Sequence, residues 1–258
     1  MPFLKTKSHY HSKSKKGGRN GLQTVNYENG DSYSGEWMND FKCGYGTKVW
    51  RSLNLVYSGY WKNDKRSDLG EIYLPESPEN YLYSGTWKRD RRSGHGIEYC
   101  RDGSRYEGGW KKDKRSGQGR MDYADGSIYV GQWSKGKRSG FGKMVYADGA
   151  YYTGNWFQDM RWGEGTFVAS NKDRYKGSWR SDMKNGEGIY NIHASAVELA
   201  GVWINNIPRC CTLRVTKQDG ITFPMKLEIP ECTLKDSQAV IEEATAHYLS
   251  KLKDENSM

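Results

Sequence analysis

The sequence predicts an all-β repeat fold, built from serial β-hairpins paired into one long antiparallel sheet, with a short α-helix near its C-terminal end. Three observations predict it. A pattern Y-x-G-x-W, followed six residues later by G-x-G, returns every 23 to 26 residues along most of the 258-residue chain. Its Tyr, Gly and Trp stand at i, i+2 and i+4, which places them on one face of a strand and the alternating Glu, Lys, Ser and Thr on the other. Between copies stand Asn29-Gly30, Asp102-Gly103, Asp125-Gly126 and Asp148-Gly149, dipeptides that supply the positive φ of tight hairpin turns.

The full motif starts at Tyr33, Tyr57, Tyr83, Tyr106, Tyr129, Tyr152 and Tyr175, and a degenerate copy starts at Leu199. The matching tryptophans of the full copies are Trp37, Trp61, Trp87, Trp110, Trp133, Trp156 and Trp179, so eight of the ten Trp residues, counting Trp203, belong to the repeat. The second copy has Asp68 in place of its first G-x-G glycine. A glycine inside a strand marks the close approach of another group, and an aromatic ring laid over bare backbone is the natural candidate here. The six residues between Trp and Gly, such as 111–116, read as a turn. One hairpin is marginal in water, and stacking aromatic rungs from neighbour to neighbour can stabilise the array.

These residues resemble the MORN repeat, and residues 106–126 look like a consensus copy. The resemblance covers roughly residues 21–212. It implies an elongated, curved, single-layer antiparallel sheet of MORN hairpins, a fold detail that periodicity alone does not contain.

Composition agrees with a thin sheet. Hydrophobic residues make up 35% of the chain and aromatic residues 14%, whereas globular domains carry about 45–50% apolar residues. A two-layer core is disfavoured. The five cysteines, at 43, 100, 210, 211 and 232, are odd in number and lack C-x-x-C spacing, which points to reduced thiols in a cytosolic protein. The vicinal pair Cys210-Cys211 reads either as a redox or metal pair or as two small residues in a decaying copy. No apolar signal core opens the chain and no run reaches the roughly 20 apolar residues of a membrane-spanning helix. The expectation is a cytoplasmic protein whose membrane contacts, if any, are peripheral.

Taken in order, residues 1–20 form a basic arm expected to be disordered, either a contact to an acidic surface or a solubilising tail. Residues 21–32 read as the second half of a copy and a capping strand. The second copy carries a longer return segment, residues 75–80, whose two prolines exclude regular ladder pairing and which is expected to protrude. After residue 212 the motif ends. Residues 213–258 hold an extended stretch with Pro224 and Pro230, then a helix capped near Asp236-Ser237 and running to about Lys253. Val240, Ile241, Ala244, Tyr248 and Leu252 form its apolar stripe, docked on the sheet or offered to a partner.

Five residues after each motif Trp stands a cation: Lys42, Arg66, Arg92, Arg115, Arg138, Arg161 and Lys184. The residue before it is often basic too, as at Lys65, Arg91, Lys114 and Lys137. Equivalent turns recur two strands apart, about 10 Å, so the spacing predicts a basic ladder along one rim. It reads as an anion- or partner-binding edge, or as solvated turn chemistry paired with Asp40, Asp64, Asp90, Asp113, Asp159 and Asp182, two residues earlier.

Catalysis finds little support. The five histidines show no triad or metal spacing, and G-x-G opens a strand rather than the helix of a dinucleotide site. No catalytic, cofactor or metal residue is assigned, and no cofactor is expected. The first function class is therefore a non-enzymatic scaffold for protein partners. The resemblance implies a place in cilia, flagella or sperm structures including the acrosome, where stand-alone MORN proteins are found. The alternative is peripheral binding of anionic phospholipid, which a net charge of +9 permits. Nucleic-acid binding is disfavoured because the glycines suggest covered rings. Exposed edge strands leave homodimers open.

Overall fold

The computed structural model describes residues 18–215, which fall in two compact units divided between Lys137 and Arg138. The expected helix over 236–253 and most of the basic arm lie outside the described residues. The first unit holds β1 (Gly21–Asn26), β2 (Ser32–Met38), β3 (Phe41–Trp50), β4 (Leu55–Lys62), β5 (Lys65–Leu74), β6 (Ser77–Lys88), β7 (Arg91–Tyr99), β8 (Arg105–Lys111), β9 (Lys114–Asp122) and β10 (Ile128–Ser134). Each of the first nine pairs antiparallel with the strand that follows it in the chain. The second unit holds β11 (Lys137–Val145), apart from its first residue, then β12 (Tyr151–Phe157), β13 (Met160–Val168), β14 (Arg174–Arg180), β15 (Met183–Ile192), β16 (Val197–Ile204) and β17 (Ile207–Val215), paired in the same way. Beyond the 3-10 turn Arg51–Leu53 there is no helix among the described residues, and none is long and apolar enough to cross a membrane. Each motif copy is one hairpin, as the periodicity predicts.

The hairpin turn is tighter than the six residues expected. It is two residues long, and both take positive φ: Asn39 and Asp40 at 51° and 68°, Lys112 and Asp113 at 51° and 69°. This is the type I′ geometry whose twist suits the flanking strands. The remaining residues of the expected turn, including every cation five positions after Trp, already lie in the returning strand.

A bulge follows at once. In the hairpin of β8 and β9, Gly108 pairs with Gly119 and Trp110 with Arg115, so Gly109 alone faces residues 116–118. The two glycines of G-x-G therefore do different jobs, rather than sharing a place under a ring. The first, Gly117 here, sits at φ +82° with nothing within 4 Å of a Cβ built upon it, and bends the strand. Asp68, its counterpart in the second copy, takes φ 54°. The second, Gly119, lies beneath the Tyr106 ring, and a Cβ there would stand 2.6 Å from ring atom Cε2.

The same tyrosine closes the gap that the bulge opens. Residue 109, paired with His95 on β7, has no partner on the returning strand β9, and the Tyr106 hydroxyl donates to its carbonyl at 3.0 Å. Tyr57, Tyr129, Tyr152 and Tyr175 repeat this bond to the carbonyl three residues on, at 3.0 to 3.1 Å. From the second full copy to the seventh, each Trp indole donates back to the preceding copy, as Trp61 does to the Gly46 carbonyl at 2.9 Å and Trp179 to Gly165 at 3.1 Å. The indole of Trp203 in the degenerate copy meets no acceptor among the described residues. Trp37 finds the carbonyl of Gln23 at 3.3 Å, which makes β1 the capping strand that residues 21–32 suggested.

The core is a row of rings instead of a second layer. Tyr106 meets its own Trp110 edge-to-face at 5.3 Å and the next copy's Trp133 at 5.2 Å. In the second unit Tyr152 meets Trp156 at 5.1 Å and Trp179 at 5.4 Å. The seven motif tyrosines are 0–1% exposed although only one sheet is present in each unit.

The return segment with two prolines differs from expectation in one respect. The turn is confined to Pro75-Glu76, and residues 77 onward re-enter as strand β6. Regular pairing does lapse there: Leu74 pairs with Ser77 while Tyr73 pairs with Tyr81.

Two substitutions separate the two glycine roles. Gly119→Ala drives a methyl into the Tyr106 ring and is expected to cost about 3 kcal/mol, near the upper end for overpacking. Gly117→Ala meets only the left-handed backbone penalty of about 1 kcal/mol. Denaturant melts of the two variants read the difference directly.

Candidate functional site: the clamped edge and the reverse face

Each sheet has an aromatic face, carrying the motif rings, and a reverse face. The two-residue turns line one edge. The seven cations five residues after Trp point onto the aromatic face, where each lies on rings. Arg66 stands 4.2 Å from the Trp87 ring, Arg92 3.9 Å from Trp110, Arg138 4.4 Å from Trp156 and Arg161 4.3 Å from Trp179. Lys42 lies between Trp37 and Trp61, at 5.2 and 5.8 Å. Arg115 covers Tyr106 at 5.0 Å, and Lys184 sits 4.2 Å from Tyr190 and 5.0 Å from Trp203. A cation over an indole contributes about 0.5–2 kcal/mol, the more so when desolvated.

Their carboxylate partners come from the following copy, not from the Asp two residues earlier. Lys42 pairs with Asp64 at 3.3 Å, Arg66 with Asp90 at 3.3 Å, Arg138 with Asp159 at 3.3 Å and Arg161 with Asp182 at 3.0 Å. The link is reciprocal. The Arg66 backbone N–H donates to Asp90 Oδ1 at 2.9 Å, and the Asp90 N–H donates to the Arg66 carbonyl at 3.1 Å. A turn aspartate with positive φ offers both groups to the strand beside it, and Asn206 does the same for Lys184. Arg19, grouped in the sequence with the basic arm, supplies the first clamp, 4.2 Å over Trp37 and 3.1 Å from Asp40.

Two clamps lack the carboxylate because the following turn lacks it. The next turn after Arg115 has Gly136, and Arg115 reaches Glu98 at 2.8 Å instead. Lys184 faces Asn206, whose side chain still accepts its backbone N–H at 2.8 Å. Glu98 also receives Arg92 at 2.6 Å. Burial would raise its carboxyl, but Arg92 and Arg115 outweigh burial and hold its pKa below the ordinary value. Burial likewise lowers the Lys184 ammonium, assisted by repulsion from Arg161.

With these side chains laid inward (Arg92 is 5% exposed), the outward surface of the edge is supplied by the residues flanking each turn. On the reverse face, Tyr45 and Tyr60 pack edge-to-face at 5.6 Å while remaining 51% and 46% exposed. Leu69 beside them is 64% exposed. A shallow groove of about 370 Å³, lined by Leu22, Thr24, Ser34, Tyr45 and Thr47 among others, opens next to Tyr45. The motif reading missed this patch because Tyr45 and Tyr60 occupy variable x positions. Their alternation with the motif glycines was the available signal.

Two outcomes follow from the clamps. Arg92→Ala leaves Glu98 without one of its two cations and strips the Trp110 ring, and a loss of about 3 kcal/mol is expected. Lys88→Ala, on an exposed turn flank, should stay within about 0.5 kcal/mol; chemical denaturation of both variants checks the contrast. Burial also raises the motif hydroxyls, Tyr106 and Tyr175 to about 12, and Tyr33, Tyr57, Tyr83 and Tyr152 in the same direction. The unfolded chain gives up these protons near pH 10 while the folded chain keeps them, so stability is full below about pH 10 and falls as pH rises. Thermal melts should drop steeply between about pH 10 and 12, and a flat profile there would contradict the burial of the hydroxyls.

The MORN-repeat family model matches residues 33–54, 57–67, 83–105, 106–128, 129–151, 152–174 and 175–191, more than half of the chain. Among curated proteins, the chain is similar to MORN repeat-containing protein 3 of Xenopus laevis, at 41% identity over 49 residues. That stretch spans 19% of this chain and 21% of the relative. Among solved structures, the TCP domain of SAS-4 of Drosophila melanogaster, in complex with a proline-rich motif of Ana2, aligns over 72% of this chain and 92% of that domain, with 7% identity and a TM-score of 0.29. The seven family matches fall on the seven hairpins whose rings, glycines and clamps are described above, and the chain belongs to the MORN-repeat family.

Proposed function

We propose that this protein is a non-enzymatic scaffold or adaptor that assembles protein complexes, and that it works in cilia, flagella or sperm structures such as the acrosome. The observation that carries the scaffold reading is the exposed reverse-face patch of Tyr45, Tyr60 and Leu69. Half-exposed aromatics beside a groove are features of protein-binding surfaces. The motif residues themselves are occupied with holding the hairpins together, which leaves partner choice to the variable positions. In this reading Lys42, Arg66, Arg92, Arg115, Arg138, Arg161 and Lys184 shape the binding edge from beneath. The cellular setting rests on the resemblance to stand-alone MORN proteins alone.

Attachment to anionic lipid through the basic rim is the competing reading, and the exposed cations of the turns favour it. A membrane surface attracts roughly 1 kcal/mol per nearby Lys or Arg, but it has no use for an aromatic patch on the reverse face.

The test compares wild type with Tyr45→Ser/Tyr60→Ser/Leu69→Ser, as bait in extracts of ciliated or sperm-forming cells and in co-sedimentation with anionic vesicles at physiological salt. The scaffold reading expects a defined set of proteins retained by wild type and lost from the triple variant, with little vesicle binding by either. Strong vesicle binding that the triple variant retains, with no protein lost from it, would replace the scaffold reading with the lipid one.

A further inference from the structure

On the reverse face, three successive hairpins of the first unit place cations directly opposite each other where the strands meet the turn. Lys62 pairs with Lys65, Lys88 with Arg91 and Lys111 with Lys114. All six are exposed, and among the described residues none of them has an ion pair. Like charges directly opposite on a sheet destabilise it, and surfaces otherwise intersperse the signs. Three consecutive rungs bear this cost. The acids nearest to them do not relieve it: the turn aspartates Asp64, Asp90 and Asp113 are engaged by Lys42, Arg66 and Arg92 of the copy before. The inner clamps thereby leave the outer row unneutralised.

We propose that this row is a binding site for an acidic polypeptide segment in extended conformation. The proposal rests on the scaffold reading and names the chemistry of one partner. Rungs two strands apart stand about 10 Å from each other, and an extended chain advances about 3.3 Å per residue. Every third residue of a Glu- or Asp-rich segment therefore meets a pair of cations, and a stretch of about eight residues spans the three rungs. The competing polyanions fit less well. The three turns, Lys62 to Lys65, Lys88 to Arg91 and Lys111 to Lys114, carry no aromatic or aliphatic side chain. They offer no ring for a nucleobase to stack on and no apolar tip to enter a bilayer. The row ends at the preceding turn, where Met38 pairs with Phe41.

The experiment is titration of the full chain into a fluorescein-labelled oligoglutamate of twelve residues, followed by anisotropy at physiological salt. Oligothymidylate of equal length and phosphatidylserine-containing vesicles run in parallel. The variant Lys62→Glu/Lys88→Glu/Lys111→Glu turns each like pair into an opposite pair, so its melting temperature should hold or rise. Oligoglutamate affinity is expected to fall about tenfold or more in that variant, and in the charge-removing set Lys62→Gln/Lys88→Gln/Lys111→Gln it should fall too. No oligoglutamate binding by wild type, equal binding by both variants, or tighter binding of oligothymidylate or vesicles than of oligoglutamate would each overturn the proposal. Wild type that ignores oligoglutamate yet still captures proteins through Tyr45 and Tyr60 would leave the scaffold reading standing without this site.

Discussion

The structure depends on one contact, a tyrosine ring lying flat on a glycine of the paired strand. The ring can lie there only because the second glycine of G-x-G has no side chain. From that position its hydroxyl reaches the carbonyl of the residue that the bulge leaves without a partner on the returning strand. Bulge, glycine and tyrosine thus form one unit: the bulge without the hydroxyl would leave a half-buried acceptor unsatisfied, at a cost of about 1 kcal/mol. The ring edges then hold two tryptophans, one from the same copy and one from the next. A single sheet in each unit gains a continuous dry row in this way, and the arginines roof it.

This arrangement separates two tasks that a two-layer protein performs with different layers. Residues defining the motif face inward, onto rings, glycines and the turn of the following copy. Residues between them face outward and are free to differ from copy to copy. The turn aspartate shows how tight the inner coupling is, since it sets the positive φ of its own turn and accepts from the cation of the copy before. The outer cations are unneutralised for the same reason. Fold and candidate binding surface are therefore linked through the chemistry of one turn residue.

Much of the hairpin order was legible in the sequence, because Tyr, Gly and Trp at i, i+2 and i+4 admit one placement on a strand. The capping strand ahead of Tyr33 was legible too, from the register of Gly21 and Asn29-Gly30. What was not legible follows from physics that crosses copies. Asp90 stands two residues before Arg92, which suggests a local pair. In the hairpin those residues belong to the turn and the returning strand, and Asp90 faces Arg66 instead. The length of the turn was hidden as well, because Lys112 carries no positive-φ signature and adopts that conformation only under the pull of the flanking strands. Tyr45 and Tyr60 were passed over because a lone aromatic at a variable position looks like a packing residue until the opposite face is known to be bare.

The contribution of the tyrosine hydroxyl to the bulge is isolated by Tyr106→Phe. The substitution keeps the ring on Gly119 and its edge contacts with Trp110 and Trp133, and deletes only the bond to the Gly109 carbonyl. Equilibrium denaturation should show a loss of about 1 kcal/mol, the cost of leaving a half-buried acceptor unmet. A variant as stable as wild type would show that the hydroxyl does not stabilise the bulge and would reduce the tyrosine to a space-filling ring.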